Sequence, residues 1–155
     1  MSGKTKVEGV QRRRFGGLEE DAYVSLLRTA DVLSRKVERV LRAADVSLTQ
    51  YNVLRILRGS PQGLPCREIG TRMITRDPDI TRLLDRLEKL GLVSRCRETK
   101  DRRMVLGHIT AQGLHLLSEL DAPVMETHQS QLGHLGQERL RSLVGLLEAA
   151  RQKAG

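Results

Sequence analysis

From Tyr23 onward the apolar residues fall at Tyr23, Leu26, Ala30, Leu33, Val37, Val40 and Ala44, in steps alternating between three and four. That rhythm predicts a helix with a narrow apolar seam. So thin a stripe on so long a helix suits a partner helix better than a globular core alone. Ser47 and Thr49 can each serve as N-cap of the next helix, which carries Val53, Leu54, Ile56 and Leu57 and stops before Gly59, Ser60 and Pro61. Gly63, Leu64 and Pro65 lead into a short helix with Cys66, Glu68, Ile69 and Met73, and Ile74, Thr75 and Arg76 make a tight connection. Asp77 followed by Pro78 then predicts a helix start. Asp accepts backbone N–H bonds as N-cap, and Pro at the first helical position loses no hydrogen bond.

The helix so begun is expected to bury Ile80, Leu83, Leu84, Leu87 and Leu90 and to show Thr81, Arg82, Asp85, Arg86 and Lys89 on its other face, with Gly91 ending it. Two β-prone runs follow, 92–97 and 104–109, joined by the polar segment 98–103. They read as a hairpin with a charged tip. Thr110 can cap the next helix, whose Leu114, Leu117 and Leu120 share a face until Pro123, which is expected to kink or break it. A terminal helix from about Gly136 carries Leu140, Leu143, Val144 and Leu147. This stripe and the 23–44 seam are apolar faces that a small domain cannot cover by itself, which calls for partner helices.

Composition narrows the function. The 155 residues suit one domain, and 27 Lys or Arg against 19 Asp or Glu give a net charge of +8. Phe15, Tyr23 and Tyr51 are the only aromatic residues, too few for a platform that stacks unpaired bases. The charge is localised: residues 1–17 carry +4 and residues 65–110 carry +4, whereas the helical flanks are nearly neutral. The flanks therefore do not form a basic membrane-binding surface. Residues 1–17, with Arg12, Arg13 and Arg14, read as a flexible basic arm, either solvated or gripping phosphates. No stretch approaches the roughly 20 apolar residues of a membrane span, and no signal region follows Met1, so no membrane partner and a cytoplasmic location are expected. Two cysteines, Cys66 and Cys96, without CxxC spacing, suit a reducing compartment.

Three short helices followed by a hairpin describe a winged helix-turn-helix, whose third helix enters the DNA major groove while the hairpin reaches the backbone or minor groove. Arg82, Arg86 and Lys89 lie on the exposed face of that third helix, and an Arg at the hairpin tip suits the narrow, electronegative minor groove of A·T-rich DNA. The stretches LTQYNVLRIL, REIGTRM, ITRLLDRLEKLGLVSR and DRRMVLGHITAQG, in this order and spacing, resemble the MarR (multiple antibiotic resistance regulator) family of winged-helix transcription factors. The resemblance covers about residues 18–153 and is most specific from Ile80 to Gly113.

It implies a mainly α fold with a small β-hairpin wing. Residues 47–110 would form the winged helix-turn-helix, and residues 18–46 and 111–153 the dimerisation helices. It places Asp79, Thr81 and Arg82 at base-reading positions, with Arg86 and Lys89 beside them, and makes Arg103 the wing arginine of the minor groove, next to Arg102. Asp101 matches the acidic residue that orients that arginine, by a charge-assisted hydrogen bond to its guanidinium. The implied function is a homodimeric DNA-binding regulator, usually a repressor, released by an effector, for which the family uses small anionic or phenolic molecules, metals or thiol oxidation. Its two-fold symmetry requires a pseudo-palindromic operator with half-sites about 34–36 Å apart.

Other chemistry is thinly supported. Cys66 lies near a helix start, where the dipole can stabilise a thiolate, but at the edge of an apolar helix it reads as an inert thiol, and Cys96 reads likewise. Pro65 and Cys66 stand where the family more usually has a polar helix cap. His108, His115, His128 and His134 form no HxxxH pair, so no metal site is expected. No phosphate loop, serine elbow or metal dyad supports an enzyme or a cofactor. The contrasting reading is an architectural or protein-docking winged-helix module, which has no need of Asp101 and Arg103.

Overall fold

A computed structural model describes residues 16–155, and the basic arm expected over residues 1–17 lies almost wholly outside the described residues. The chain divides into two compact units, the first ending at Leu33 and the second running from Ser34 to Gly155. The boundary falls within helix α1 (Leu18–Arg42). In the first unit the Gly17 carbonyl accepts the N–H groups of Glu20 and Asp21, each at 3.2 Å, and Glu19, Glu20 and Asp21 place negative charge at the positive end of the helix dipole. Leu18, Tyr23, Leu26, Leu27 and Val32 are exposed there.

In the second unit α1 delivers Val37 and Leu41 to the core and then closes on itself. The Val46 N–H returns to the Leu41 carbonyl at 3.1 Å and the Asp45 N–H to that of Arg42 at 3.1 Å, with Asp45 at φ 56°. This is a Schellman cap, with Asp in the left-handed position usually given to Gly. Helix α2 (Leu48–Arg58) starts at Ser47. The Ser47 hydroxyl accepts the Gln50 N–H at 3.1 Å, and the Gln50 side chain accepts the Ser47 N–H at 3.0 Å. Thr49, the other candidate cap, lies in the first turn.

Strand β1 (Leu64–Pro65), helix α3 (Cys66–Arg72), helix α4 (Ile80–Lys89) and strands β2 (Val93–Arg97) and β3 (Val105–Ile109) follow. The strands form an antiparallel sheet in the order β1-β3-β2, so the expected hairpin gains a third strand. Gly107, at the sheet centre, pairs with Leu64 on one side and Arg95 on the other. A Cβ there would lie 3.4 Å from the Ile69 Cδ1 and 3.9 Å from the Leu84 Cδ2, which shows how closely α3 and α4 lie on the sheet.

Helix α5 (Ala111–Leu132), a short 3-10 turn and helix α6 (Gln137–Ala154) complete the chain. Two expectations need correction here. Pro123 does not break α5, which runs on through it. Proline removes one hydrogen bond, while Leu117 and Leu120 before it and Val124 after it are all buried and hold both halves of the helix to the core. Leu90, expected to be buried, is 50% exposed, and Leu114, expected on one face with Leu117 and Leu120, is 44% exposed, while Gly113 is buried on α5. Leu41, Val53, Leu54, Leu57, Ile69, Leu87 and Leu117 are fully buried, and no polar or charged residue is buried among the described residues. At the edge of this core Arg58 of α2 grips Asp121 of α5 through two parallel bonds of 2.8 and 3.0 Å. None of α6 is buried, and Leu143, Val144 and Leu146 lie exposed along it. Among the described residues no helix is long and apolar enough to cross a membrane.

Candidate nucleic-acid interface

Helix α4 begins later than its sequence signal. Its N-cap is Asp79, at φ −135° and ψ 69°, whose carboxylate accepts the Arg82 N–H at 3.0 Å. Asp77 instead accepts the Asp79 N–H at 2.8 Å, so Asp77 and Pro78 build a turn ahead of the helix. The turn before it is held by Asn52, whose side-chain oxygen accepts the Ile74 N–H at 2.8 Å. With Leu83, Leu84 and Leu87 buried, Thr81, Arg82, Arg86 and Lys89 are all exposed. The Thr81 hydroxyl lies 3.6 Å from the Cys66 sulfur.

The wing tip is a hydrogen-bonded turn. The Met104 N–H donates to the Asp101 carbonyl at 3.0 Å, the Glu98 N–H to the Met104 carbonyl at 2.9 Å, and the Arg97 guanidinium to the Arg102 carbonyl at 3.1 Å. Asp101 differs from expectation, because its carboxylate accepts the backbone N–H of Arg103 at 3.0 Å. It fixes the turn that carries the arginine, not the guanidinium itself. Asp101, Arg102 and Arg103 are all exposed. Among the described residues none of Arg82, Arg86, Lys89, Arg102 and Arg103 takes part in an ion pair. Their charge is therefore available to an incoming anion.

Arg95 behaves otherwise, and sequence reasoning passed over it. From β2 its Nε donates to Glu88 at 2.8 Å and its Nη2 to Asp85 at 2.5 Å, so one side chain spans two carboxylates of α4. The bond to Glu88, and then that to Asp85, raises the guanidinium's pKa further above its ordinary value. Two acidic residues three apart on an otherwise basic helix were the signal that could have asked for such a cation. Cys96 is exposed, with its sulfur 3.6 Å from the His108 Nδ1, and the His108 Nε2 lies 3.0 Å from the Gln62 carbonyl. Among the described residues no three His, Cys, Asp or Glu side chains gather as a metal site.

Residues 46–105, which span the helix-turn-helix and most of the wing, match the model of the MarR family. The chain is 27% identical over 124 residues, 80% of its length and 84% of the other's, to the HTH-type transcriptional regulator FarR of Neisseria gonorrhoeae. Among solved structures it is similar to a MarR transcription factor from Planctomyces limnophilus, at 41% identity and a TM-score of 0.66, over 88% of this chain and 99% of that one. It shares the fold of MepR from S. aureus, solved as a DNA complex, at 22% identity and a TM-score of 0.75, over 84% of this chain and 97% of that one. A match of 41% identity across nearly the whole of that relative places the chain in the MarR family.

Proposed function

We propose that the protein is a homodimeric, sequence-specific double-stranded DNA-binding transcriptional regulator that acts as a repressor. The observation that carries this reading is the unpaired cationic row of α4 together with the unpaired arginines of the wing tip. Arg82, Arg86 and Lys89 recur on one side of α4, and at 1.5 Å per residue they span about 10 Å, the height of about three base pairs. A helix of this size fits the major groove, where Arg can take guanine by two hydrogen bonds. Asp79 and Thr81 stand at the same end of the helix as Arg82, while Arg102 and Arg103 reach for the backbone and minor groove. A docking module would have no use for guanidinium groups kept free of carboxylates.

Dimerisation is part of the proposal. A second copy of the chain would cover Tyr23, Leu26 and Leu27 of α1, and likewise Leu143, Val144 and Leu146 of α6, all of which are exposed. Residues 18–46 and 111–153 then serve assembly, residues 47–110 read DNA, and the basic arm of residues 1–17 adds phosphate contacts in the cytoplasm. A small-molecule effector would release the complex.

The test is to enrich an operator from random duplexes with the purified protein and to measure fluorescence anisotropy against it and a scrambled duplex at several salt concentrations. The selected duplex is expected to bind at least about a thousandfold tighter, with log K falling linearly in log[salt]. Arg82→Ala is expected to cost about 1–3 kcal/mol on the selected duplex alone. Equal binding of both duplexes would refute the proposal.

A further inference from the structure

Arg95 lies on β2, the strand that leads into the wing, while both of its carboxylate partners lie on α4. The turn between the two elements is tight, with Gly91 at φ 74° and the Leu92 N–H returning to the Leu87 carbonyl at 3.0 Å. Beyond the turn β2 is paired along its length with β3, and Arg95 adds a polar tie from that strand to α4. Arg95 acts beyond that turn, at the strand's midpoint opposite Gly107, and its planar fork takes Glu88 and Asp85 at once. Its side chain is 27% exposed, against 46% for Asp85 and 44% for Glu88, so the guanidinium is the most enclosed member of the group. Arg97, two residues on, continues the line by holding the Arg102 carbonyl at the wing tip.

We propose that Arg95 is a positioning residue for operator recognition: by clamping Asp85 and Glu88 it sets the angle between α4 and the wing, so that Arg82 and Arg103 engage one half-site together. This rests on the reading of α4 and the wing as the DNA interface. The guanidinium also offsets one of the two negative charges that α4 carries beside its cationic row. These two effects separate experimentally. Weakening the clamp from the carboxylate side, in Asp85→Asn with Glu88→Gln, leaves only neutral acceptors for Arg95, removes two negative charges and by charge alone tightens binding to every duplex. Loss of positioning instead lowers discrimination.

The experiment compares the full-length protein with the D85N/E88Q double variant, Arg95→Ala and Arg95→Lys, measuring anisotropy on the selected and scrambled duplexes and thermal melting of each protein. The ratio of selected to scrambled affinity is expected to fall about tenfold in D85N/E88Q while scrambled binding is kept or strengthened, the ratio change of one mismatched base pair. Arg95→Ala is expected to lose the ratio likewise, and Arg95→Lys, a point charge that reaches one carboxylate, to restore part of it. An unchanged ratio in the folded double variant overturns the proposal and leaves the DNA reading standing. Should Arg95→Ala fail to fold, the double variant, which keeps side-chain shape, decides alone. A wild-type protein that binds both duplexes alike overturns the DNA reading, and this proposal with it.

Discussion

Replacing Thr110 tests how one hydroxyl joins the end of α4 to the long helix that follows. The Thr110 side chain accepts the Gly113 N–H at 3.0 Å, capping α5, and donates to the Gly91 carbonyl at 2.7 Å, at the end of α4. Alanine removes both bonds. The lost cap costs about 1 kcal/mol. The part-buried Gly91 carbonyl, left without this donor, costs about 1 kcal/mol more. For a chain of this size a total of about 2 kcal/mol lowers Tm by about 4–8 °C. Serine keeps both bonds and is expected to stay within about 0.5 kcal/mol of wild type, whereas valine keeps the shape without the hydroxyl and should fall with alanine. Scanning calorimetry of all four proteins at one protein concentration measures this, since the melting temperature of an associating protein varies with concentration. A serine variant as unstable as alanine, or an alanine variant as stable as wild type, would refute the reasoning.

Gly113→Ala is expected to destabilise by about 1–3 kcal/mol in urea, against the better helix propensity of alanine. The new Cβ would lie 2.4 Å from the Leu92 carbonyl oxygen and 2.7 Å from the Ile109 Cγ1. The hydrogen bond from Arg58 lowers the pKa of Asp121, so the stability from this pair is present above the ordinary Asp pKa of about 3.9 and is lost as pH falls through and below it. Urea titrations from pH 7 to pH 2 should show Asp121→Asn less stable by up to about 1 kcal/mol at neutral pH, since the pair is half exposed, with the difference vanishing in acid. Val144→Glu, on the exposed face of α6, is expected to yield monomers in sedimentation equilibrium with helical content retained, and a wild-type dimer weight in that variant would remove α6 from the proposed interface.

Elements held by local chemistry were legible in the sequence. Ser47 and Gln50 form the reciprocal cap, the Leu83, Leu84 and Leu87 face of α4 is buried, and Thr110 caps α5. The misplaced features depend on partners far along the chain or on signals that occur twice. Asp77 and Asp79 are chemically alike, and only the backbone at Asp79 decides which one caps α4. β1 has two residues, too few to show a period, and exists because β3 lies beside it. Pro123 is a helix breaker by local rules, overridden by burial of Val124 beyond it. In the candidate site, Arg82, Arg86, Arg102 and Arg103 are exposed and free of ion pairs among the described residues. The Arg95 clamp stayed hidden because strand alternation alone does not say that the strand returns beside α4.

The small sheet also has two open edges, which bears on solubility. Unpaired strand edges invite pairing with other chains, and long apolar ones seed aggregates. Here one edge, β1, is two residues long and ends in Pro65, which has no N–H to offer a new strand. The other, β2, carries Arg95 and Arg97 among its five residues. A second molecule adding a strand to it would bring its backbone against the exposed Arg97. The wing can therefore stand out from the protein with its edges uncovered and still not recruit a second sheet, and replacing Pro65 or Arg97 by valine would weaken that protection before it weakened the fold.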